Sequence, residues 1–375
     1  MRPASHTSFK DLLSRETAFY QDPNYSASTK QDLESEQALP TTYRWDTQSK
    51  ITRVVKKIFS ILFFPIALYH LLHCLAGKII IPASTPFLLE TSLEDLNSYR
   101  SNISLDSNWK YKRITLEVDG YKVDAVITGT SDTLDNGKWV VYSGGNGEYY
   151  EHSLIERSDI KELLNNLKAN CIFFNYPGVS ASSGMPNRAA IANAYRAVLS
   201  FLEDDIHGVG AKQIIGFGHS IGGGVQADAL NNHQPKPGIQ YVFVKSKTFS
   251  NLSQTVSSLT YRVLGLLVKL LGWNIDTAAS SKKLTAPEII LQSRETSGFS
   301  DHNYTILDNS STLMDNDGII SKQNSLAHAL LNDPACPRKN KIFVGVPEYH
   351  NTLMWDTGFL ATKINKFLAP SKATL

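Results

Sequence analysis

The chain has 375 residues, of which 42% are hydrophobic and 19% charged, and its formal net charge is +2. That length and apolar content suffice for one large core or for two ordinary domains. The near-neutral balance argues against a nucleic-acid partner, because binding to phosphate backbones needs concentrated basic charge. Cys74, Cys171 and Cys336 are odd in number and far apart, so they predict neither a disulfide framework nor a metal site.

The N-terminal part of the chain is polar and mixed, and we interpret residues 1–50 as a tail with at most short helices. It lacks the basic-then-apolar order of a secretory signal, so a Sec-type route is not indicated. Residues 51–84 differ: the stretch 58–77 carries no Asp, Glu, Lys or Arg. Its length is borderline for a membrane span, and Pro65 weakens that interpretation. Two interpretations stay open, contact with a membrane and a helix packed on a folded domain.

From about residue 110, short apolar runs alternate with helical patterns. The runs RITLEV and YKVDAVIT flank Asp119-Gly120 and predict a β-hairpin, since this dipeptide favours a tight turn between antiparallel strands. Further buried strands are predicted at KWVVYSGG, NCIFFNYPG, KQIIGFG, IQYVFVKSK, PEIILQS and KIFVGV. Strands separated by helices predict an α/β fold with a mostly parallel, doubly wound sheet over residues 110–370.

A short motif with a chemical meaning follows the strand QIIGF. Gly218-His219-Ser220-Ile221-Gly222 matches G-x-S-x-G and directly precedes the helical pattern VQADALNN. A serine on so sharp a strand-to-helix turn adopts strained backbone angles, and glycines two residues to either side avoid collisions there. The helix N-terminus behind the serine favours a developing negative charge. The motif alone arises readily by chance, but in this setting it predicts a nucleophile, Ser220, on an α/β-hydrolase fold.

A glycine-rich loop, residues 143–147, follows the earlier strand KWVVY. In α/β-hydrolases one oxyanion-binding N–H belongs to the residue after the nucleophile, and the other belongs to such a loop. We therefore expect the N–H groups of Ile221 and Asn146 to be the donors, with Gly147 as the substitute. A nucleotide-binding P-loop is disfavoured, because no Gly-Lys-Ser/Thr sequence follows.

The fold arranges its catalytic residues along the chain in the order serine, acid, histidine. His350 lies just after the last strand and before the final helix, and we predict it to be the base. A long insertion, expected to form a loop or flap, separates the strand PEIILQS from the best acid, Asp317. Glu295, Asp301 and Asp315 remain rivals for that role.

An inserted helical lid is predicted between IQYVFVKSK and PEIILQS, at about residues 249–285. Leu264, Leu267, Val268 and Leu271 recur there at helical spacing. Such a stripe is either ordinary core, or a wall of an acyl-chain pocket, or a lipid contact. The first three are our candidate substrate-binding residues.

The segments GGNGEYYE, NYPGVSASSGMPNRAAIANAYRAVLSFL and IIGFGHSIGGG resemble lipase-like α/β-hydrolases. Over about residues 110–368 the chain resembles CHLPS-type hydrolases of intracellular bacteria, SidB-type lipase-like proteins and mammalian phosphatidylserine lipases. The last group shares the loop N-[YH]-P-G-x-x-x-S-x-G, present here from Asn175 to Gly184. The resemblance implies a lipase or esterase that uses Ser220, His350 and an acid after the seventh strand. The long insertion before the acid departs from the pattern.

Together these features predict a serine hydrolase that cleaves carboxylic esters, with lipid acyl esters as the expected class, through an acyl-enzyme. This chemistry needs no metal and no organic cofactor, and we expect none. The alternatives are a thioesterase or acyltransferase, and a non-catalytic effector that binds a membrane or a host protein. The expected partners are an ester or lipid substrate and a membrane surface, without nucleic acid; the oligomeric state is not indicated. The protein is expected to be membrane-associated or cytoplasmic, or a bacterial effector secreted without a Sec-type signal.

Overall fold

A computed structural model describes residues 42–92, 95–96, 108–296 and 301–369 of the chain. Most of the predicted tail, residues 1–41, lies outside the described residues. The strands are β1 Thr42–Trp45, β2 Trp109–Val118, β3 Tyr121–Thr130, β4 Lys138–Ser143, β5 Asn170–Phe174, β6 Gln213–His219, β7 Gln240–Ser246, β8 Glu288–Ser293, β9 Thr305–Ile306 and β10 Lys341–Val346. The α-helices are α1 Lys50–Leu62, α2 Phe64–Ile80, α3 Tyr150–Glu156, α4 Ser158–Leu167, α5 Arg188–Glu203, α6 Ile221–Leu230, α7 Leu252–Leu259, α8 Arg262–Leu270, α9 Thr277–Lys283, α10 Leu326–Leu331 and α11 Thr357–Leu368.

The strands form one sheet in the order β1-β2-β3-β5-β4-β6-β7-β8-β10-β9. β3 is antiparallel to both of its neighbours and β9 is antiparallel to β10, whereas the other pairs are parallel. The turn between β2 and β3 has positive φ at Asp119 (50°) and Gly120 (91°), as the predicted hairpin requires. The strand order reverses at β4, which lies between β5 and β6. In open α/β sheets such a reversal leaves a crevice for a ligand at the carboxyl ends of the strands.

The central strands are covered on both faces. On β4, Trp139 and Val141 point into one core, shared with α5 and α6, whereas Val140 and Tyr142 point into the other core, shared with α4 and α11. Every residue of β5 is buried, as expected for a strand between two helical layers. The strand order and the helices on both faces establish the predicted α/β-hydrolase fold with its mostly parallel, doubly wound sheet.

Both edge strands are absent from the sequence-based prediction. β1 lies in the segment interpreted as tail and pairs with β2, from Thr42 opposite Thr115 to Trp45 opposite Val118. β9 lies in the segment expected to be a loop or flap and pairs with β10. With four and two residues, these strands are too short to show the alternation of apolar and polar residues that predicts a strand. They form because they pair with a strand that is already in the sheet.

The segment between β7 and β8 carries α7, α8 and α9 and packs against α2. Trp273, just after α8, stacks on His73 of α2 with ring centroids 5.1 Å apart. Its indole N–H donates to the carbonyl of His73 at 2.7 Å. Gly77 of α2 is buried, and a Cβ there would lie 2.7 Å from the Trp273 ring. The second half of α2 is therefore fixed to the inserted helices.

The direction of the chain bends by 105° between α1 and α2. Among the residues that the structure describes, no single helix is both long and apolar enough to cross a bilayer, but this bent pair meets the two criteria together. Most apolar side chains of α1 and of the first half of α2 are exposed. The apolar segment is thus packed on the domain at one end and exposed at the other.

Candidate active site

Ser220 lies on the turn between β6 and α6. Its backbone angles, φ 53° and ψ −122°, are ones that a residue with a side chain rarely adopts. Its N–H donates to the carbonyl of Ser246 at 2.9 Å. Its own carbonyl accepts a hydrogen bond from the Thr248 hydroxyl at 2.6 Å. These two bonds to the end of β7 hold the strained turn in place.

The glycines of the motif are required by close packing around this turn. A Cβ on Gly218 would lie 2.7 Å from the backbone of Gly223. A Cβ on Gly222 would lie 2.6 Å from the carbonyl carbon of Ser143, the last residue of β4. Contacts so short do not occur between real side chains and backbone, so larger residues would force the serine out of position.

His219, between the first glycine and the serine, is buried. Burial, followed by the charges of Arg157 and His350, lowers the pKa of His219 well below its ordinary value. The residue is therefore a neutral imidazole at physiological pH. Its ring packs near that of His350, with centroids 5.1 Å apart.

His350 links the serine to a carboxylate. Its Nε2 lies 2.9 Å from Ser220 Oγ, and its Nδ1 lies 3.0 Å from Asp317 Oδ2. The backbone N–H of His350 also donates to the carbonyl of Asp317 at 2.7 Å. The structure thus brings the three predicted residues together in the arrangement of a Ser-His-Asp triad.

The carboxylate of Asp317 is oriented from its other side as well. Oδ1 accepts hydrogen bonds from the N–H groups of Ile319 (3.0 Å) and Ile320 (2.7 Å). Burial alone would raise the pKa of Asp317, but the hydrogen bond and charge of His350 and the two N–H groups outweigh it, so the pKa lies below its usual value. An ionised Asp317 selects the His350 tautomer with its proton on Nδ1, which leaves Nε2 to accept the proton of the serine.

The rival acids lie elsewhere. Glu295 and Asp315 are exposed to solvent. Asp301 forms a bidentate ion pair with Arg294, at 2.7 and 2.9 Å. The three rival carboxylates are thus either exposed or paired with Arg294, and Asp317 is the carboxylate that lies beside His350.

The expected oxyanion donors are near the serine, since Ile221 follows it in the chain and Asn146 lines the same cavities. Ile221 is the first residue of α6, and in the described part of the chain its N–H and that of Asn146 donate to no protein acceptor. Asn146 lines both cavities next to Ser220, whereas Gly147 lines one of them. The binding of a tetrahedral oxyanion requires backbone N–H groups that have no protein acceptor beside the nucleophile, and these two are the candidates.

The loop that carries Asn146 is fastened at two points. The Tyr176 hydroxyl donates to the carbonyl of Gly144 at 2.8 Å and lies 2.8 Å from Ser143 Oγ. The N–H of Ala83, in the 3₁₀ turn after α2, donates to the Asn146 carbonyl at 3.2 Å. The loop is thus held both by the sheet domain and by the N-terminal helix segment.

Two cavities meet at Ser220. One, of about 510 Å³, is walled by apolar side chains from α2, α7 and α8 and includes the predicted Leu264, Leu267 and Val268. The other, of about 420 Å³, is polar and includes His350 and Lys247. In the described residues no group of three or more His, Cys, Asp or Glu side chains is placed to hold a metal ion.

Sequence reasoning missed the other wall of the apolar cavity, which α2 supplies. Leu72, Leu75, Ala76 and Ile79 line it. Their spacing of three and four residues indicates a common helical face. The spacing does not show what that face contacts, because the partner helices lie almost two hundred residues further along the chain, around Leu267.

Lys247, just after β7, is a second residue that the sequence did not indicate. Its Nζ donates to the carbonyls of Tyr349 (2.5 Å) and Thr352 (3.3 Å), which flank His350 in the chain. Burial lowers the pKa of Lys247 to about 8, although the charges of Glu348 and Asp317 oppose the shift. The lysine therefore anchors the loop that carries the histidine.

Comparison with known proteins gives a family. The family model described as "Chlamydia CHLPS protein (DUF818)" matches residues 22–368. No curated protein matches the chain. Among solved structures, the chain is similar to the Pyrococcus furiosus esterase Pf2001 (16% identity, TM-score 0.48, covering 69% of this chain and 90% of that one). It is also similar to an α/β-hydrolase from Vibrio vulnificus (16% identity, TM-score 0.42, covering 68% and 80%). The family model covers most of the chain and agrees with the resemblance in the motifs, and the chain therefore belongs to the Chlamydia CHLPS protein family.

Proposed function

We propose that this protein is a serine hydrolase that cleaves carboxylic esters of long acyl chains through an acyl-enzyme on Ser220. The proposal depends on one observation, the continuous relay from Ser220 Oγ through His350 to Asp317, with separations of 2.9 and 3.0 Å. The strained turn that presents the serine at the meeting point of two cavities supports it.

The chemistry follows from the geometry. His350 Nε2 accepts the proton of Ser220 as Oγ attacks the ester carbonyl, and Asp317 stabilises the imidazolium that forms. The N–H groups of Ile221 and Asn146, with Gly147 as the substitute, bind the oxyanion. His350 then returns the proton to the leaving alcohol, and in the second half it activates the water that hydrolyses the acyl-enzyme.

The two cavities favour one orientation of the substrate. The apolar cavity, of about 510 Å³, lies within the usual range of small-molecule sites and suits an acyl chain. The polar cavity suits the alcohol part and the attacking water. Burial of each CH₂ contributes about 0.8 kcal/mol, so kcat/KM is expected to rise with chain length until the apolar cavity is filled.

Labelling with a fluorophosphonate tests the proposal, because the reagent reacts with an activated serine. Wild-type protein should be labelled and should hydrolyse nitrophenyl esters, with a preference for longer chains. Ser220→Ala should lose both properties, whereas Ser258→Ala, at an exposed serine of the inserted helices, should keep them. A folded wild-type protein that takes no label and hydrolyses none of the esters would contradict the proposal and favour a binding role.

A further inference from the structure

α1 is fastened to the rest of the protein by its polar side. Arg53 forms ion pairs with Asp46 and, at 3.6 Å, with Asp119 in the β2–β3 turn. Lys56 Nζ donates to the Gln48 side chain at 2.7 Å. In a helix of a soluble domain, the apolar stripe normally faces the core and the charged side faces water. In α1 the polar side instead makes the contact with the sheet domain, through Arg53, whereas Lys56 and Lys57 remain exposed.

The apolar side of α1 faces away from the protein. Its residues recur every three or four positions, so they lie along one side of the helix. Each of them is between 48% and 76% exposed, and an apolar surface of this kind marks a site of interaction. The members of this outer face are Ile51, Val54, Val55, Ile58, Phe59 and Leu62.

The exposed apolar surface continues to the mouth of the apolar cavity. Leu72, Leu75 and Ile79 of α2 line that cavity and are between 42% and 78% exposed. Leu264 and Leu267 of α8 also line it and are 41% and 44% exposed. Exposed apolar side chains of both helices therefore lie at the cavity that contains Ser220.

The charged residues on the helices that form this surface all have one sign. All charged residues within 47–89 and within 248–275 are basic, although the whole chain has a net charge of only +2. Lys56 and Lys57 stand on α1, and Lys269 stands on α8. An exposed apolar helix face with basic neighbours matches an anionic lipid surface. A second copy of the chain would bring like charges together at the same place, which disfavours self-association.

We propose that α1, the exposed side of α2 and the outer side of α8 form a docking face for an anionic phospholipid bilayer. The mouth of the apolar cavity then lies against the lipid, and acyl chains enter it sideways from the membrane. α1 lies along the interface with its apolar side in the acyl boundary region and its Arg53 side on the protein. The inference rests on the proposed function and deepens it, because it names membrane lipids as the substrate class.

Flotation of the full chain with vesicles tests the docking face. The vesicles are phosphatidylcholine, with or without phosphatidylglycerol, and the chain carries Ser220→Ala so that no lipid is consumed. The double variant Phe59→Ser/Leu62→Ser, in α1 and outside the cavity, should weaken partitioning to vesicles about 100-fold. Lys56→Glu/Lys57→Glu should weaken binding to the anionic vesicles by about the same factor, and added salt should reduce the difference.

Matched substitutions away from the docking face are the controls. Ile206→Ser/Ile306→Ser removes two exposed apolar side chains, and Lys212→Glu/Lys339→Glu reverses two exposed lysines. Both double variants should float like the parent chain. With Ser220 restored, all variants should hydrolyse a short soluble ester at the parent rate. Only the docking-face variants should lose hydrolysis of vesicle lipid.

The outcomes separate the two proposals. If neither docking-face variant reduces flotation, or if the parent chain does not float, the docking face is refuted whatever the esterase activity. If the parent chain floats as expected but hydrolyses no ester, the proposed function fails and the docking face stands. The parent chain could instead stay in the soluble fraction as a dimer that Phe59→Ser/Leu62→Ser converts to a monomer. That result would make the surface a self-association face and would refute docking.

Discussion

Replacement of Asp317 by asparagine perturbs the relay with the smallest change of shape. Asp317 Oδ1 accepts two backbone hydrogen bonds, from Ile319 at 3.0 Å and from Ile320 at 2.7 Å. The oxygen of an asparagine will keep that position, so its NH₂ group takes the place of Oδ2, 3.0 Å from His350 Nδ1. Because the NH₂ group donates, Nδ1 must accept, and the imidazole proton moves to Nε2. That nitrogen can then no longer accept the proton of Ser220.

The expected loss in kcat is about 10⁴-fold, the size that such a change has in other Ser-His-Asp triads, or about 5.5 kcal/mol of transition-state stabilisation. Steady-state hydrolysis of a nitrophenyl ester measures it, and circular dichroism checks the fold. Asp301→Asn and Glu295→Gln, at two of the three rival acids, are matched controls that should keep near-normal turnover. Near-normal turnover of Asp317→Asn, or a steep loss in either control, would refute this account of the relay.

Four further expectations follow from the same contacts. Ser220→Ala and His350→Ala should each lower kcat by about 10⁴-fold or more, and the double variant should lose little further, because the triad acts as a unit; additive losses would speak against the triad. Leu267→Trp narrows the apolar cavity and should lower kcat/KM for long-chain esters while sparing short ones; equal losses on both would argue that the chain binds elsewhere. The pKa of Lys247 is about 8 in the folded protein, against an ordinary value of 10.5. Between pH 8 and pH 10.5 the unfolded chain therefore binds more protons than the folded protein does. The free energy of unfolding should rise with pH in this range, by at most about 1.36 kcal/mol per pH unit. Denaturant titrations should show that Lys247→Met removes this rise, and a rise that persists would contradict the assignment. The pKa of Asp317 is lowered by folding, so its contribution to stability is present above its ordinary value of 3.8 and is lost as pH falls through the folded value; the stability difference between wild type and Asp317→Asn should shrink in that acidic range.

The parts of the site that depend on local chain geometry could be predicted from the sequence. A serine between an apolar strand and a helix, with Gly218 and Gly222 around it, has few other structural explanations. His350 and Asp317 could be located because the fold fixes the order of its strands along the chain. The hairpin at Asp119-Gly120 is equally local, since two residues determine its turn.

The rest depends on contacts between distant segments. β1 forms because Thr42 and its neighbours pair with β2 at the edge of the sheet. Four residues are too few to show the alternation that would predict a strand. The spacing of Leu72, Leu75 and Ile79 predicts a helical face but not its partner. Lys247 has no local signature, because its role depends on two carbonyls more than one hundred positions away in sequence.

The helix pair α1–α2 is attached to the protein at both ends. Before α1, β1 pairs with the sheet, and the N–H and hydroxyl of Thr47 donate to Asp119 at 2.8 and 2.7 Å. After α2, the N–H of Ala83 donates to the carbonyl of Asn146. The two helices therefore lose their freedom of orientation when the chain folds, and they do not lose it again on binding to a partner. A segment preorganised in this way binds with a smaller entropic cost than a flexible anchor of the same composition.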